Sequence, residues 1–278
     1  MAPSLVRLKA ARVHLELWLI LRHRSLIWQL ILRDVSSRYK NSAFGALWLF
    51  VQPLLQLLIY SFVFGMVLQA RWDINTPTGA AAPFGIVLFV GLLMNTLIAD
   101  ALVRGPSLVS SNPTFVKRVI FPLEALPLVS TATTLLNVLV GFVLLIAATL
   151  LLVGTLPLSA VLIVLPVLAL TLTALGLAWL LSALGVYFPD LSQLAPHFST
   201  ILLFTAPICY PADMVPEHFR WLLTFNPLTV PVEVARQLLF EGTANWTRLA
   251  GYTLGALTMA GLGAWAFNVM RKGFADVL

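Results

Sequence analysis

The chain has 278 residues and a formal net charge of +6, with 60% hydrophobic residues and only 10% charged ones. A soluble domain of this size needs far more charge to cover its surface, so the composition excludes one and points to a polytopic membrane protein. The single cysteine, Cys209, excludes an intrachain disulfide framework and a Cys-based zinc site, and His14, His23, His197 and His218 show no metal-ligand spacing, so no metal is expected.

Residues 1–43 read as a cytoplasmic N-terminal segment. It is basic but has no short apolar core followed by a small-residue cleavage site, and is expected to be retained. Within it, Trp28, Ile31, Leu32, Val35 and Tyr39 recur at helical spacing on one face, and Gln29, Arg33, Ser36 and Lys40 on the other. This pattern predicts an amphipathic helix along the membrane interface, with Trp28 and Tyr39 at headgroup level and Arg33, Arg38 and Lys40 facing the headgroups. A solvated helix preceding a membrane span is the plainer reading of the same residues.

Residues 44–271 read as an all-α transmembrane domain and 272–278 as a cytoplasmic tail. Apolar runs long enough to cross a hydrocarbon core of about 30 Å are expected at Phe44–Gln69, Phe84–Val103, Leu123–Val153, Leu158–Phe188, Leu194–Tyr210 and Trp246–Met270. Between the last two, Pro211 to Asn245 carries apolar pieces too short to cross and interrupted by prolines. The expectation there is a re-entrant hairpin whose backbone is sheltered by protein or a watery cavity. Eight shorter spans form the alternative count. With six spans, 13 of the 17 Lys and Arg residues fall on the side of the termini, which places both termini in the cytoplasm.

In the first span, steps of four give Phe44, Trp48, Gln52, Gln56, Tyr60 and Phe64, a slowly winding row with aromatic ends and an amide centre. Two amides in lipid would be unsatisfied, whereas a bundle interior or wet pathway would satisfy them. Rings and amides together suit a sugar chain, whose CH faces lie on rings and whose hydroxyls need donors and acceptors. Glutamines bonding helix to helix between interfacial aromatic belts fit equally well. Asp100 and Glu124 lie near span ends, where Arg104, Lys117 or Arg118 can pair with them; Asn95 is expected to bond between helices, and Asp190 to cap the helix starting near Leu191. No phosphate-binding loop, zinc-protease or hydrolase-elbow motif occurs, so no catalytic residue is expected, and active transport would draw energy from another chain or an ion gradient. No internal repeat of the secondary-transporter kind is visible.

Three stretches, "LILRDVSSRYKNSAFGALWLFVQPLLQLLIYSFVFG", "NPTFVKRVIFPLEALPLV" and "FTAPICYPADMVPEHFRWLLTFNPLT", resemble in order and spacing the membrane subunit of ABC-2 type exporters. The most similar branch is that of O-antigen, teichoic-acid and related polysaccharide exporters. The resemblance implies a homodimer of six-span subunits around a continuous channel in the bacterial inner membrane. It also implies two cytosolic ABC ATPase partners, which would bind ATP and Mg while this chain binds no cofactor. The cargo would be a polyprenyl-diphosphate-linked polysaccharide, with its head near Arg33, Arg38 or Lys40 and its sugars along the aromatic-amide row; membrane lipids are expected partners and nucleic acid is not. By the same resemblance, Ser110 to Val119, with Asn112, Pro113, Lys117 and Arg118, would couple to the ATPase, and the "PDLSQ" turn with Asp190 would be a second contact. Pro189 stands where the family commonly has Arg, so any ion pair at that turn is absent from this expectation. Pro211 to Phe240 would gate the periplasmic mouth, with Cys209, Tyr210 and Pro211 nearby and Asn226-Pro227 breaking its limbs. An exporter of small drugs or lipids, and a membrane-embedded glycan-modifying enzyme using Asp100 or Glu124, are the rival functions.

Overall fold

The computed structural model describes residues 24–40, 42, 44–69, 82–113 and 122–277, and the regular structure among them is helical. Helix α1, Arg24–Tyr39, precedes a first span, Gly45–Val67, whose central part is α2, Trp48–Tyr60. Pro53 removes a backbone donor inside α2, and after Tyr60 the backbone widens into a π-helical stretch, Ser61–Val67. Helix α3, Phe84–Arg104, is the centre of the bundle: Ile86, Val87, Phe89, Val90, Met94 and Ile98 are fully shielded. Around it stand α2, α4 (Ala125–Val153), α5 (Val164–Tyr187) and α6 (Leu191–Thr205).

The tightest helix pair is α5 with α9, Trp246–Met270. Gly176 and Gly263 make that approach possible, because their missing side chains let the two backbones touch. A Cβ on Gly176 would lie 2.6 Å from the Met259 carbonyl oxygen, and one on Gly263 would strike the Gly176 carbonyl.

Five helices among the described residues are long and apolar enough to cross a membrane: Gly45–Val67, Phe84–Ser107, Ala125–Val153, Leu158–Tyr187 and Trp246–Val277. The expected fifth span, Leu194–Tyr210, departs from that list. Its helix, α6, has 15 residues, about 22 Å at 1.5 Å per residue. Ser192 lines a pocket with Pro106 and Ser107 at the C-terminal end of α3, and the corner after α6 meets α3 at Val87 through a shared arginine, described below. At that corner Ala206 is extended and Ile208 N turns back to donate to the Ala206 carbonyl at 2.7 Å.

The segment that follows forms two short limbs, α7 (Arg220–Phe225) and α8 (Thr229–Arg236), broken at Asn226-Pro227. It starts and ends at the same end of the bundle, where α3 begins: Ser159 Oγ, just before α5, donates to the Leu238 carbonyl at 2.8 Å, and Asn245 N donates to Gln237 Oε1 at 3.3 Å. Neither limb runs the length of the bundle. At the opposite end, Val109, Trp179, Phe267 and Phe274 form a small buried cluster, with Phe274 supplied by the closing turn α10, Phe274–Val277.

Helix α1 has three sides rather than two. Ile27, Leu30 and Ile31 bury against Ala125 and Val129 of α4, and Val35 lies against the same cluster. Trp28, 54% exposed, and Leu32 lie at the edge of that contact and face outward, and Gln29, Arg33, Ser36 and Lys40 occupy the third side. The expected apolar face therefore divides: Ile31 and Val35 turn to protein, Trp28 and Leu32 outward. Tyr39 is the last residue of the helix.

Candidate functional site

Two helices each bring an acid and an arginine four residues apart, so that each pair shares a face. Asp34 and Arg38 lie on α1, Asp100 and Arg104 on α3. The structure crosses them: Arg38 lies 3.4 Å from Asp34 and 3.9 Å from Asp100, and Arg104 lies 3.4 Å from Asp34 and 3.6 Å from Asp100. From α4, Thr134 Oγ1 donates to Asp100 Oδ2 at 2.8 Å and Ser130 Oγ to the same oxygen at 3.3 Å, while Arg38 donates to Thr134 Oγ1 at 3.4 Å. Charges leaving water must be neutralised nearby, and the four sum to zero. Their separations exceed the roughly 2.7–2.9 Å of tight charge-assisted bonds. The quartet is thus a compensated but loose joint between α1 and the bundle, able to exchange partners over small movements. The Asp100–Arg104 pairing is one of those anticipated from sequence. Glu124 pairs instead with Arg271 at 2.8 Å, tying the start of α4 to the end of α9.

Beside this joint is a cavity of about 340 Å³ between α1, α2, α3 and α4. Gln52 and Gln56 line it together with Arg38, Thr96, Asp100 and Asn137. The Asn137 Oδ1 atom is buried without a hydrogen-bond partner. The amide centre of the aromatic-amide row thus borders a polar space inside the bundle. The row's ends behave differently. Phe44 and Trp48 meet edge to face at 6.1 Å near the start of the span, whereas Tyr60 lies 6.3 Å from Phe64, and Phe64 stacks on Phe84 of α3 at 5.5 Å. Gln52 and Gln56 are both exposed, and Leu57 is the buried residue of α2. Helix α6 is equally open, with Ala195 its buried residue. Asn95 lies half-buried on α3 with its Oδ1 unbonded, so that oxygen does not make the helix-to-helix bond expected of it.

The segments expected to couple to an ATPase converge at the α3 C-terminus. Ser110, with Ser107 and Pro106, shares a pocket of about 240 Å³ with Gly185, Pro189 and Ser192, so residues 105–112 and the "PDLSQ" turn border one space. Local bonds shape the first segment: Ser111 Oγ donates to the Ser107 carbonyl at 2.6 Å and Asn112 Nδ2 to the Leu108 carbonyl at 2.9 Å. Pro113 follows, exposed; Lys117 and Arg118 lie outside the described residues. Asp190 sits at the N-cap of α6, exposed, but its side chain makes no cap bond; its carbonyl accepts from Gln193 and Leu194 instead.

At the other end, the expected gate residues act largely as pins. Asn226, 5% exposed, donates to the Leu202 carbonyl at 2.8 Å and to Thr205 Oγ1 at 2.9 Å, and its Oδ1 accepts from Leu228 N at 2.9 Å. Tyr210 Oη donates to the Phe204 carbonyl at 2.7 Å; Cys209 is half-buried, Pro211 precedes the two limbs and Pro227 stands between them. The residue that holds this end together is Arg236, one of the four basic residues that the charge count puts on the side opposite the termini. It is 5% exposed and donates to the carbonyls of Val87 (3.1 Å), Pro207 (2.5 Å) and Ile208 (2.8 Å). The available signal was an arginine in the middle of "VEVARQLLF", a run in which six of nine residues are apolar.

A family model described as ABC-2 type transporter matches residues 25–240. Among curated proteins, an O-antigen export system permease protein of Klebsiella pneumoniae is 27% identical over 248 residues, 88% of this chain and 92% of that relative. One of the same description from Myxococcus xanthus is 28% identical over 79% of this chain and 82% of its own length. A polysialic acid transport protein of Escherichia coli is 24% identical over 77% of this chain and 80% of its own length.

Proposed function

Because the chain belongs to the ABC-2 type transporter family, we propose that it is the permease subunit of an ATP-driven exporter that carries a polysaccharide across a membrane. It is a transport subunit, not an enzyme, and ATP hydrolysis belongs to a partner ATPase. The observation that carries this reading is the similarity, over nearly the whole chain, to permeases that export O-antigen and to a transporter of polysialic acid.

Finer features of the reading extend it. Two copies of the chain enclose the channel, each with a cytosolic ATPase at the end where residues 105–113 meet the "PDLSQ" turn. The cargo is a polysaccharide linked to a polyprenyl diphosphate, and the membrane is the bacterial inner membrane, with both termini in the cytoplasm. Helix α6 with its extended corner makes the sixth crossing, and α7–α8 form a re-entrant hairpin at the outer end. The openness of α2 and α6, against the shielding of α3, supports placing those two helices on the shared wall. Gln52 and Gln56 supply amide donors and acceptors to the sugar hydroxyls.

The joint gives ATP a mechanical route to the cargo. Closure of the ATPases displaces the turns after α3. Because Arg104 and Asp100 end that helix, the displacement reaches Asp34 and Arg38 on α1, and α1 shifts against α4 beside the amide-lined cavity. Loose ion pairs permit this shift at small cost, since partners exchange rather than separate.

The test is reconstitution in vesicles with lipid-linked glycan. The permease with its ATPase should deliver glycan to the far side on adding ATP, and the permease alone should deliver none. Delivery without the ATPase, or ATPase-dependent export of a small lipid with no glycan moved, would overturn the reading.

A further inference from the structure

A second polar space lies at the end of the bundle remote from the charge quartet, between the hairpin and the last span. Its volume is about 710 Å³, inside the roughly 300–1,000 Å³ of small-molecule sites. One wall is the first two turns of α9, with Arg248 and Tyr252; the other is the hairpin, with Asp213, Arg220, Thr229 and Glu233. The lining thus holds two guanidinium groups and two carboxylates. Arg248 Nη1 and Glu233 Oε2 meet at 2.8 Å, Arg220 approaches Glu217 at 3.6 Å, and Tyr252 Oη lies 2.9 Å from Thr173 Oγ1 at the floor. Thr229 is 3% exposed and its hydroxyl has no hydrogen-bond partner among the described residues. A buried hydroxyl left unbonded is unfavourable, and a ligand oxygen would satisfy it.

Depth and surroundings identify the ligand. Arg248 and Tyr252 lie within about 10 Å of the start of a membrane-crossing helix, the level at which headgroups meet hydrocarbon. Trp221 and Phe225 on α7 and Trp246 and Leu254 on α9, sequence neighbours of the lining residues, are exposed apolar side chains. The α9 face carrying Trp246, Leu254, Leu257 and Trp265 is exposed throughout and suits acyl chains. A ligand with apolar tails, one negative group and one positive group fits these walls, whereas an anionic lipid brings no cation to the two carboxylates.

We infer that this cleft binds a zwitterionic phospholipid headgroup of the phosphoethanolamine kind. The guanidinium groups of Arg248 and Arg220 take the phosphate, Glu233 and Asp213 take the ammonium, and Thr229 Oγ1 bonds a phosphate or ester oxygen. The site stands apart from the export reading, since it needs neither ATPase nor glycan.

The test is native mass spectrometry of the purified full chain. The chain is equilibrated in detergent with equal amounts of phosphatidylethanolamine, phosphatidylglycerol and phosphatidylcholine of one acyl composition, then progressively stripped of lipid. Phosphatidylethanolamine should survive at about ten-fold higher occupancy than either competitor, a difference of about 1.4 kcal/mol. The charge-removing double variant Glu233→Gln/Arg248→Gln should bring the three lipids to parity. Asp213→Asn, an exposed change that leaves the core untouched, should lower the preference part-way even if the double variant fails to fold. Equal retention of all three lipids, preference for phosphatidylglycerol, or an undiminished preference in Asp213→Asn would overturn the assignment.

Discussion

Replacing Arg236 by Met keeps the side-chain volume and removes every donor. Three carbonyls, from α3 and from the corner after α6, then lose their partner in a region closed to water. A hydrogen bond to a charged group contributes about 1.5–3 kcal/mol, but part of that sum offsets the cost of burying the guanidinium. Removing one partner from a buried charged network leaves a net loss of about 3–5 kcal/mol. At about 2–4 °C per kcal/mol for a chain of this size, the melting temperature of the purified permease should fall by roughly 6–20 °C. Intrinsic tryptophan fluorescence during heating reads this directly, since Trp221 lies in the hairpin and Trp246 starts the helix that follows it. Arg236→Lys should lose less, because one ammonium can satisfy some of the three carbonyls. A melting point within about 2 °C of the wild type for Arg236→Met would refute the view that this arginine joins the hairpin to the bundle.

Other perturbations separate the site from the scaffold. Asp100→Ala leaves Arg38 and Arg104 facing one carboxylate fewer. With side-chain exposures of 15–35% in the quartet, solvent screening limits the cost to about 1–3 kcal/mol. The exchange Arg38→Asp/Asp100→Arg should recover part of both stability and export, as measured by melting and by glycan delivered. Gln52→Leu/Gln56→Leu should leave the melting temperature unchanged, since neither residue is buried, yet cut glycan export about ten-fold, the equivalent of one or two lost hydrogen bonds. Gly263→Val should abolish a monodisperse chromatographic peak, because overpacking against backbone costs about 3 kcal/mol or more, whereas Gly261→Ala, with open space around it, should elute as wild type.

The spans from Phe84, Leu123 and Trp246 were legible because mean hydropathy is a local property of about 20 residues. The fifth was legible as an apolar run but not as a helix of 15 residues that ends at a corner, because hydropathy does not report where a helix stops. Helix α1 shows a related limit. Lipid and protein interior are equally apolar, so Trp28 and Ile31 give the same signal although one faces outward and the other α4. In the aromatic-amide row, the amides were readable as residues needing partners, but that Phe64 stacks on Phe84 while Gln52 and Gln56 border a cavity depends on which neighbour each side of α2 meets.

The order of apolar and basic segments by itself determined that this chain lives in a membrane as a bundle of helices, since no fold can hide so much hydrocarbon from water otherwise. The cross-pairing of Asp34, Arg38, Asp100 and Arg104, the burial of Arg236 and the approach of Gly176 to Gly263 were decided only by tertiary structure. Each includes a contact between groups 62 to 149 positions apart, and a charge or a missing side chain acquires its meaning from the atom placed opposite it.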